Sequence, residues 1–362
     1  PYLLVSAQAG ALADMLVNAR LIRWTKRAET GLMLAGAAAL VWGGPAAMLV
    51  VLAGLGVQAT FFGPLKYGIL PQLLPPSALL RGNALIEAAS FIAILLGTAG
   101  GGLAAASGPG AVAVPCLAAS LAGLAAAAWL PPAPPEAPPG AGGIGWMPLS
   151  GSRALFALVR ARRDIWRATL GISWFWSFGA VILAEVPVLA VRAWGGNGRV
   201  AGLLTGAFTL GIGLGALLAP LLGRPHRVTP LACAGMSLCA VDLALGHGGL
   251  MLPDMAALLA PGPGWRVLAD LVGMSACGGV FSVPLYALVQ ARADPAWRAQ
   301  GIAAGNVVNA AGMAAAGALV ALAAAQGAAA GAIVLAAALL NLAVAAWTWR
   351  RPAGAGEAFR ER

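Results

Sequence analysis

Long apolar runs, broken by short clusters of charge, proline or glycine, follow one another along almost the whole chain. An α-helix needs about 20 predominantly apolar residues to cross the hydrocarbon of a bilayer. Eleven windows of this kind fall near residues 1–13, 29–44, 45–69, 83–107, 111–130, 169–191, 200–222, 229–247, 267–289, 301–325 and 328–348. The pattern predicts an all-α membrane protein. The first window is too short for a comfortable crossing, which suggests that upstream residues are missing.

The polar positions then orient the helices, because Lys and Arg near span ends collect on the cytoplasmic side. With the connection after the first window placed in the cytoplasm, alternate connections hold Arg20, Arg23, Lys26 and Arg27, then Lys66 and Arg81, then Arg153 to Arg167. Arg224 and Arg227, Arg292 and Arg298, and the basic tail from Arg350 complete that side. Only Arg192, Arg199 and Arg266 remain opposite. The net charge of +10 is therefore read as membrane orientation and not as a nucleic-acid footprint.

A Pro/Gly-rich connection beginning at Pro131 cannot continue a helix. Beyond it, Ser152–Arg167 interleaves Leu155, Phe156, Val159 and Trp166 with arginines, as an amphipathic helix on an anionic leaflet would, or else forms a basic solvated loop. This divides the chain into an N-terminal helical half (1–130), a cytoplasmic linker (131–168), a C-terminal helical half (169–349) and a tail (350–362). Counting one absent first span, each half has six helices, the plan of transporters built from two parallel repeats. A weak internal repeat agrees. Phe62-Gly63-Pro64-Leu65-Lys66-Tyr67 precedes Arg81 and a span with Asn83, and Phe281-Ser282-Val283-Pro284-Leu285-Tyr286 precedes Arg298 and a span with Asn306.

Composition settles the solvent and narrows the chemistry. Hydrophobic residues make up 60% of the 362 positions and charged ones 9%, far from soluble usage. Cys116, Cys233, Cys239 and Cys277 lie in apolar stretches without CxxC pairing, so neither a disulfide nor a zinc site is expected. The histidines are His226 and His247, and neither has an acid four residues on, as an acyltransferase motif would need. No phosphate-binding loop with a following Lys-Ser or Lys-Thr is present, which argues against ATP-driven transport. A transporter is expected, not an enzyme.

The stretch Phe61-Phe62-Gly63-Pro64-Leu65-Lys66-Tyr67-Gly68-Ile69-Leu70-Pro71-Gln72-Leu73, continuing through Arg81-Gly82-Asn83-Ala84-Leu85-Ile86-Glu87-Ala88, resembles the lysophospholipid transporter family of the major facilitator superfamily. That family includes versions fused to a 2-acylglycerophosphoethanolamine acyltransferase. Ile92–Thr98, Leu12-Ala13-Asp14 and Ala19-Arg20-Leu21 extend the likeness, which covers about 100 residues, mostly in the first half. The resemblance implies the major facilitator fold and a carrier in the bacterial inner membrane. It implies movement of lysophospholipid, chiefly lysophosphatidylethanolamine, from the outer to the inner leaflet for reacylation, with no bound cofactor. Membrane lipids and an acyltransferase domain or protein are the expected partners. Two departures stand out: the family's first span is not represented, and the second-half counterpart of the Gly10–Asp14 loop motif reads Gly223-Arg224-Pro225-His226-Arg227, with no acid.

Ionisable groups inside a span are costly and are usually buried in the bundle. Glu87 follows Asn83 by one helical turn, so both share a face. Glu185 lies two residues before Pro187, where a proline frees backbone carbonyls. Lys66 and Tyr67, near a cytoplasmic span end, suit a phosphate, while Glu87 or Glu185 would answer an ethanolamine amine. Asp242 and Asp270 could join them, or sit hydrated near span ends. Asp14, with Arg20 and Arg23, falls in the first cytoplasmic loop, where facilitator-type proteins use an acid and bases to latch the closed state; a plain solvated loop is the alternative. Gly97 and Gly101, Gly211 and Gly215, and Gly301 and Gly305 are spaced four apart and predict closely approaching helices. The rival reading is a facilitator that exports a drug or metabolite in exchange for protons, with Glu87 and Glu185 as proton carriers. A non-transporting scaffold for a lipid enzyme is a third.

Overall fold

The computed structural model describes residues 1–133, 156–157, 159–246 and 248–351. Among them there is no β-strand, and eleven long helices account for most of the chain. These are α1 (Tyr2–Met15), α2 (Asn18–Trp42), α3 (Pro45–Gly68), α4 (Leu79–Ala105), α5 (Pro109–Ala128) and α6 (Arg163–Val188). They are followed by α7 (Gly198–Leu218), α8 (Pro225–Leu245), α9 (Pro263–Arg292), α10 (Arg298–Ala325) and α11 (Ala330–Arg350). Proline opens α3, α5, α8 and α9, where its fixed φ suits the first turn and its missing N–H costs nothing.

Nine helical stretches among the described residues are long and apolar enough to cross a membrane. The two long helices outside that group are α1, with 14 residues, and α2, which carries Lys26, Arg27 and Glu29. The apolar window at 29–44 is thus the far half of a longer helix that starts at Asn18. Its inner charges are neutralised locally: Lys26 Nζ donates to Glu29 Oε2 at 2.8 Å, and Gln58 Nε2 of α3 donates to the same oxygen at 2.8 Å. Lys26 also lies 4.6 Å from the ring centre of Phe62. Charges this little exposed are tolerated when they are paired and hydrogen-bonded.

Contacts divide the chain into two compact units, each assembled from separate segments. Unit 1 comprises Pro1–Leu79, Gly100–Trp166 and Val289–Ala310; unit 2 comprises Leu80–Ala99, Arg167–Leu288 and the chain from Ala311. In unit 1, α2 packs on α3 and α5, with Thr30 and Ser120 sharing a hydrogen bond of 2.8 Å. The Asn18 backbone N–H donates to the Ala133 carbonyl at 3.2 Å, which ties the segment after α5 to the start of α2. Ala13, Ile22, Leu65, Ile69, Ala127 and Ala299 close an apolar cluster there.

Unit 2 is centred on large buried side chains, among them Phe281, Ile182, Leu204, Met236 and Met274. One of its helix pairs, α8 on α11, is fastened by Asn341, whose amide donates to the Cys233 carbonyl at 2.8 Å and to Ser237 Oγ at 2.9 Å. The Asn341 amide oxygen accepts from Trp174 Nε1 at 2.7 Å. Gly211 faces Ser275 and Val272, and Gly215 faces Ala276, so α7 and α9 do approach backbone to backbone as their spacing suggests. Gly97 and Gly101 of α4, with the same spacing, have nothing within 4 Å. There the expectation of close packing fails, because that stretch of α4 meets no neighbour on the glycine side.

The internal repeat reappears as repeated construction. In α3 and α9 a proline, Pro64 or Pro284, sits inside the helix. Each helix is followed by a 3₁₀ turn that begins at a proline, Pro76–Ala78 or Pro295–Trp297. Each turn leads directly into the next long helix, α4 or α10. Most of the Pro/Gly-rich linker, Arg153, Leu155, His247 and the basic tail beyond Arg351 lie outside the described residues.

Candidate functional site

Asp14 is placed by the last turn of α1 and is 5% exposed. Its two carboxylate oxygens accept backbone N–H bonds from Ala299 at 2.8 Å and Gln300 at 3.0 Å, in the first turn of α10. These amides are among the orphan donors at a helix start, and the positive end of the helix dipole favours an anion there. Close approach makes this joint: a Cβ on Gly10, one turn before Asp14, would come within 2.8 Å of Ala303 Cβ and Gln300 Cα. The sequence reading placed Asp14 in a loop with Arg20 and Arg23. The loop is instead Leu16-Val17, Arg20 is exposed and Arg23 half-buried in the opening turns of α2, and the partners of Asp14 include the α10 amides.

Lys66 and Tyr67 occupy the last turn of α3 in the same unit. The Lys66 ammonium lies 4.6 Å from the centre of the Tyr67 ring, a cation–π contact between neighbours. Tyr67 is buried and Lys66 half-buried. This turn rests on α10, where a Cβ on Gly68 would touch Ala299 Cβ at 3.6 Å and one on Gly63 would meet the Asn306 amide nitrogen at 2.9 Å. Lys66, Tyr67 and Asp14 therefore lie on helices that share one packed joint with α10.

The remaining candidates belong to unit 2. Asn83 and Glu87, 0% and 1% exposed, lie on the face of α4 that also carries Ala84 and Ala88. Those alanines pack with Ala216, Ala219 and Val283 of α7, its 3₁₀ extension and α9. One further turn along α4, Phe91 stacks on Trp176 of α6, with ring centres 6.0 Å apart and planes 23° from parallel. Trp176 Nε1 in turn donates to Tyr286 Oη of α9 at 2.8 Å. The face that presents Glu87 is thus continued by an aromatic group with a fixed phenol.

Glu185 is 4% exposed, between Ile182 and Val186, both fully buried. Pro187 follows, and the helix then widens into a π-helical turn at Leu189–Ala193, the kind of irregularity that marks functional sites in membrane helices. Among the described residues no hydrogen bond or ion pair engages the Glu185 carboxyl. Asp270 is buried. Asp242 pairs through both oxygens with the exposed guanidinium of Arg266, so it belongs to a hydrated span end.

Sequence reasoning missed three features. Trp176 lies in the run Ser173-Trp174-Phe175-Trp176, whose aromatic density was its only signal. Glu29 was masked by the basic residues around it. Asp164, in the first turn of α6, holds Arg292 at 3.3 Å and Arg162 at 3.6 Å. No group of three or more His, Cys, Asp or Glu side chains that could hold a metal ion occurs among the described residues.

No family model matches the chain. It is 30% identical over 318 residues to the lysophospholipid transporter LplT of Escherichia coli O1:K1, covering 85% of this chain and 71% of that protein. The transporter of the same name from Salmonella heidelberg (strain SL476) is 31% identical over 315 residues, with the same coverage. Among solved structures, the proton:xylose symporter XylE superposes with a TM-score of 0.69 over 97% of this chain and 84% of its own, at 13% identity. The transporter FucP, in its outward conformation, gives a TM-score of 0.72 over 95% and 86%, at 12% identity. At such identities the likeness to these two carries the fold alone, that of major facilitator transporters.

Proposed function

Since this chain belongs to the lysophospholipid transporter family of the major facilitator superfamily, we propose that it carries lysophospholipid, with lysophosphatidylethanolamine as the preferred cargo. The direction in this reading is from the outer to the inner leaflet of a bacterial inner membrane, by alternating access. An acyltransferase acting on the inner leaflet would consume the delivered lipid.

The observation that carries the reading is Glu185, a carboxyl buried in a membrane span with no bonded partner among the described residues. A buried charge without a partner is costly, and the ammonium of an ethanolamine headgroup would supply one. Glu87 and Asn83 offer a second acidic and amide pair on α4, and the aromatic face of Phe91 and Trp176 suits the start of an acyl chain.

The test is uptake of labelled lysophosphatidylethanolamine into spheroplasts expressing the full chain. Uptake should persist after the proton gradient is collapsed, and Glu185→Gln should lower it roughly tenfold or more, as loss of a charge-assisted bond would, with membrane insertion unchanged. Wild-type uptake by the Glu185→Gln protein would overturn the assignment. A second reading rests on the same carboxyl, because a buried acid can also carry a proton. Gradient-dependent export of a soluble dye, with no lipid uptake, would favour that proton-coupled exporter.

A further inference from the structure

A different part of unit 2 carries chemistry that the transport reading does not use. A shallow surface recess, with enclosed room of only about 10 Å³, is lined by Arg167 of α6, His226 and Thr229 of α8, Thr348 at the end of α11, and Arg351 just beyond it. Leu285 of α9 forms part of its apolar wall, brought close because Gly171 has no side chain: a Cβ there would lie 2.7 Å from Leu285 Cδ1. The recess gathers the starts of α6 and α8 with the ends of α9 and α11. Alternating spans bring these four ends to one side of the membrane, the side where Arg163, Arg224, Arg227, Arg292 and Arg350 also fall. By the distribution of basic residues that side is cytoplasmic. Trp347 lines the recess and the neighbouring Trp349 is exposed, as interfacial aromatic residues are.

We propose that this recess binds the phosphodiester headgroup of an anionic phospholipid of the cytoplasmic leaflet, with Arg167 and Arg351 as its charge partners and the hydroxyl of Thr229 as a further donor. Two arginines and a histidine line it, and among the described residues no carboxylate pairs with any of the three. Like charges brought together in this way favour an anion between them, and basic pockets between helices at the cytoplasmic surface take phosphate headgroups. Among the described residues no acid lines the recess, so a zwitterionic headgroup would find no carboxylate there for its ammonium. That sets the site apart from the acidic groups proposed for the cargo and makes phosphatidylglycerol a better occupant than phosphatidylethanolamine. The apolar wall of Leu285, Pro230 and Trp347 suits a molecule entering from the bilayer over a free anion from the cytosol. His226, in the second-half segment that lacks an acid, thereby gains a role other than latching.

The experiment is thermal unfolding of the full chain in neutral detergent with added phosphatidylglycerol, phosphatidylethanolamine, phosphatidylcholine or inorganic phosphate. Phosphatidylglycerol should raise the transition by several degrees and the other three by little. The Arg167→Gln/Arg351→Gln protein should need roughly tenfold more phosphatidylglycerol for the same shift, at about fivefold or less per arginine, whereas Arg199→Gln, away from the recess, should respond as wild type. If the double variant is not monodisperse, Arg351→Gln alone, at an exposed position, reads the same effect. Equal shifts with phosphatidylglycerol and phosphatidylethanolamine, or a wild-type response from the arginine variants, would overturn the proposal. A full shift with inorganic phosphate alone would assign the recess to a soluble anion and reject the lipid. The readout is stability and not transport, so its failure is separable from failure of the cargo assignment.

Discussion

Trp176 and Tyr286 join α6 to α9 through one hydrogen bond of 2.8 Å, indole N–H to phenol oxygen, between residues 110 apart in the chain. The bond fixes the ring on which Phe91 stacks, and Phe91 lies one turn from Glu87 on α4. Loss of either polar partner should loosen that aromatic face. Tyr286→Phe and Trp176→Phe are each expected to raise the KM for lysophospholipid uptake about two- to tenfold, the range for one net hydrogen bond. The double substitution should cost no more than the worse single one, because the two residues act through one contact. Additive losses in a double-mutant cycle would show that the bond is not the shared cause.

Asp14 is bonded to two amides at the start of α10, and its charge faces the positive end of that helix. Asp14→Asn removes the charge and one acceptor while keeping the shape. The state in which this joint is closed should be weakened by about 1–3 kcal/mol, the range for hydrogen bonds to charged groups together with the dipole contribution. The uptake rate should fall while membrane insertion stays normal, and a cysteine introduced at Ala299 should become more reactive to a water-soluble maleimide. Unchanged reactivity and rate would remove Asp14 from gating.

Asn341 satisfies three groups at once in the packed interface of α8 and α11. Asn341→Leu would leave the half-buried Trp174 Nε1 without its acceptor, at a cost of about 1–3 kcal/mol, while Ser237 Oγ keeps its bond to the Cys233 carbonyl at 3.5 Å. The expected result is a lower Tm in detergent with uptake kinetics little changed in the protein that folds. Cys233→Ala should be far milder, since its thiol is only a weak donor to Asn341.

These pairings explain which parts of the molecule could be read from sequence. The positions of the apolar helices were legible because lipid imposes length and composition on each one separately. Glu87 and Asn83 were legible because a four-residue spacing in an apolar helix needs no knowledge of any other helix. The partners of Asp14 were not, since backbone amides 285 and 286 residues away leave no mark in composition. Glycine spacing was ambiguous for the same reason: Gly211 and Gly215 meet another helix, and Gly97 and Gly101 do not. The start of α2 was set too late because its charges read as a loop, when they are paired within the helix and across to α3.

That pairing gives the last expectation. Lys26 and Glu29, with side chains 18% and 17% exposed, form an ion pair one turn apart, and Glu29 also accepts from Gln58. Removing one member leaves the other charge poorly solvated. Glu29→Leu should destabilise the folded protein by about 3 kcal/mol or more, as breaking buried pairs does. Removing both charges takes away the desolvation cost along with the attraction. The Lys26→Met/Glu29→Leu protein should therefore recover most of the loss, even though Gln58 loses its partner. Thermal unfolding of the single and double variants in the same detergent decides the matter. If the double variant is as unstable as Glu29→Leu, the ion pair is not what holds α2 against α3, and the weight shifts to the Thr30–Ser120 and Gln58 hydrogen bonds.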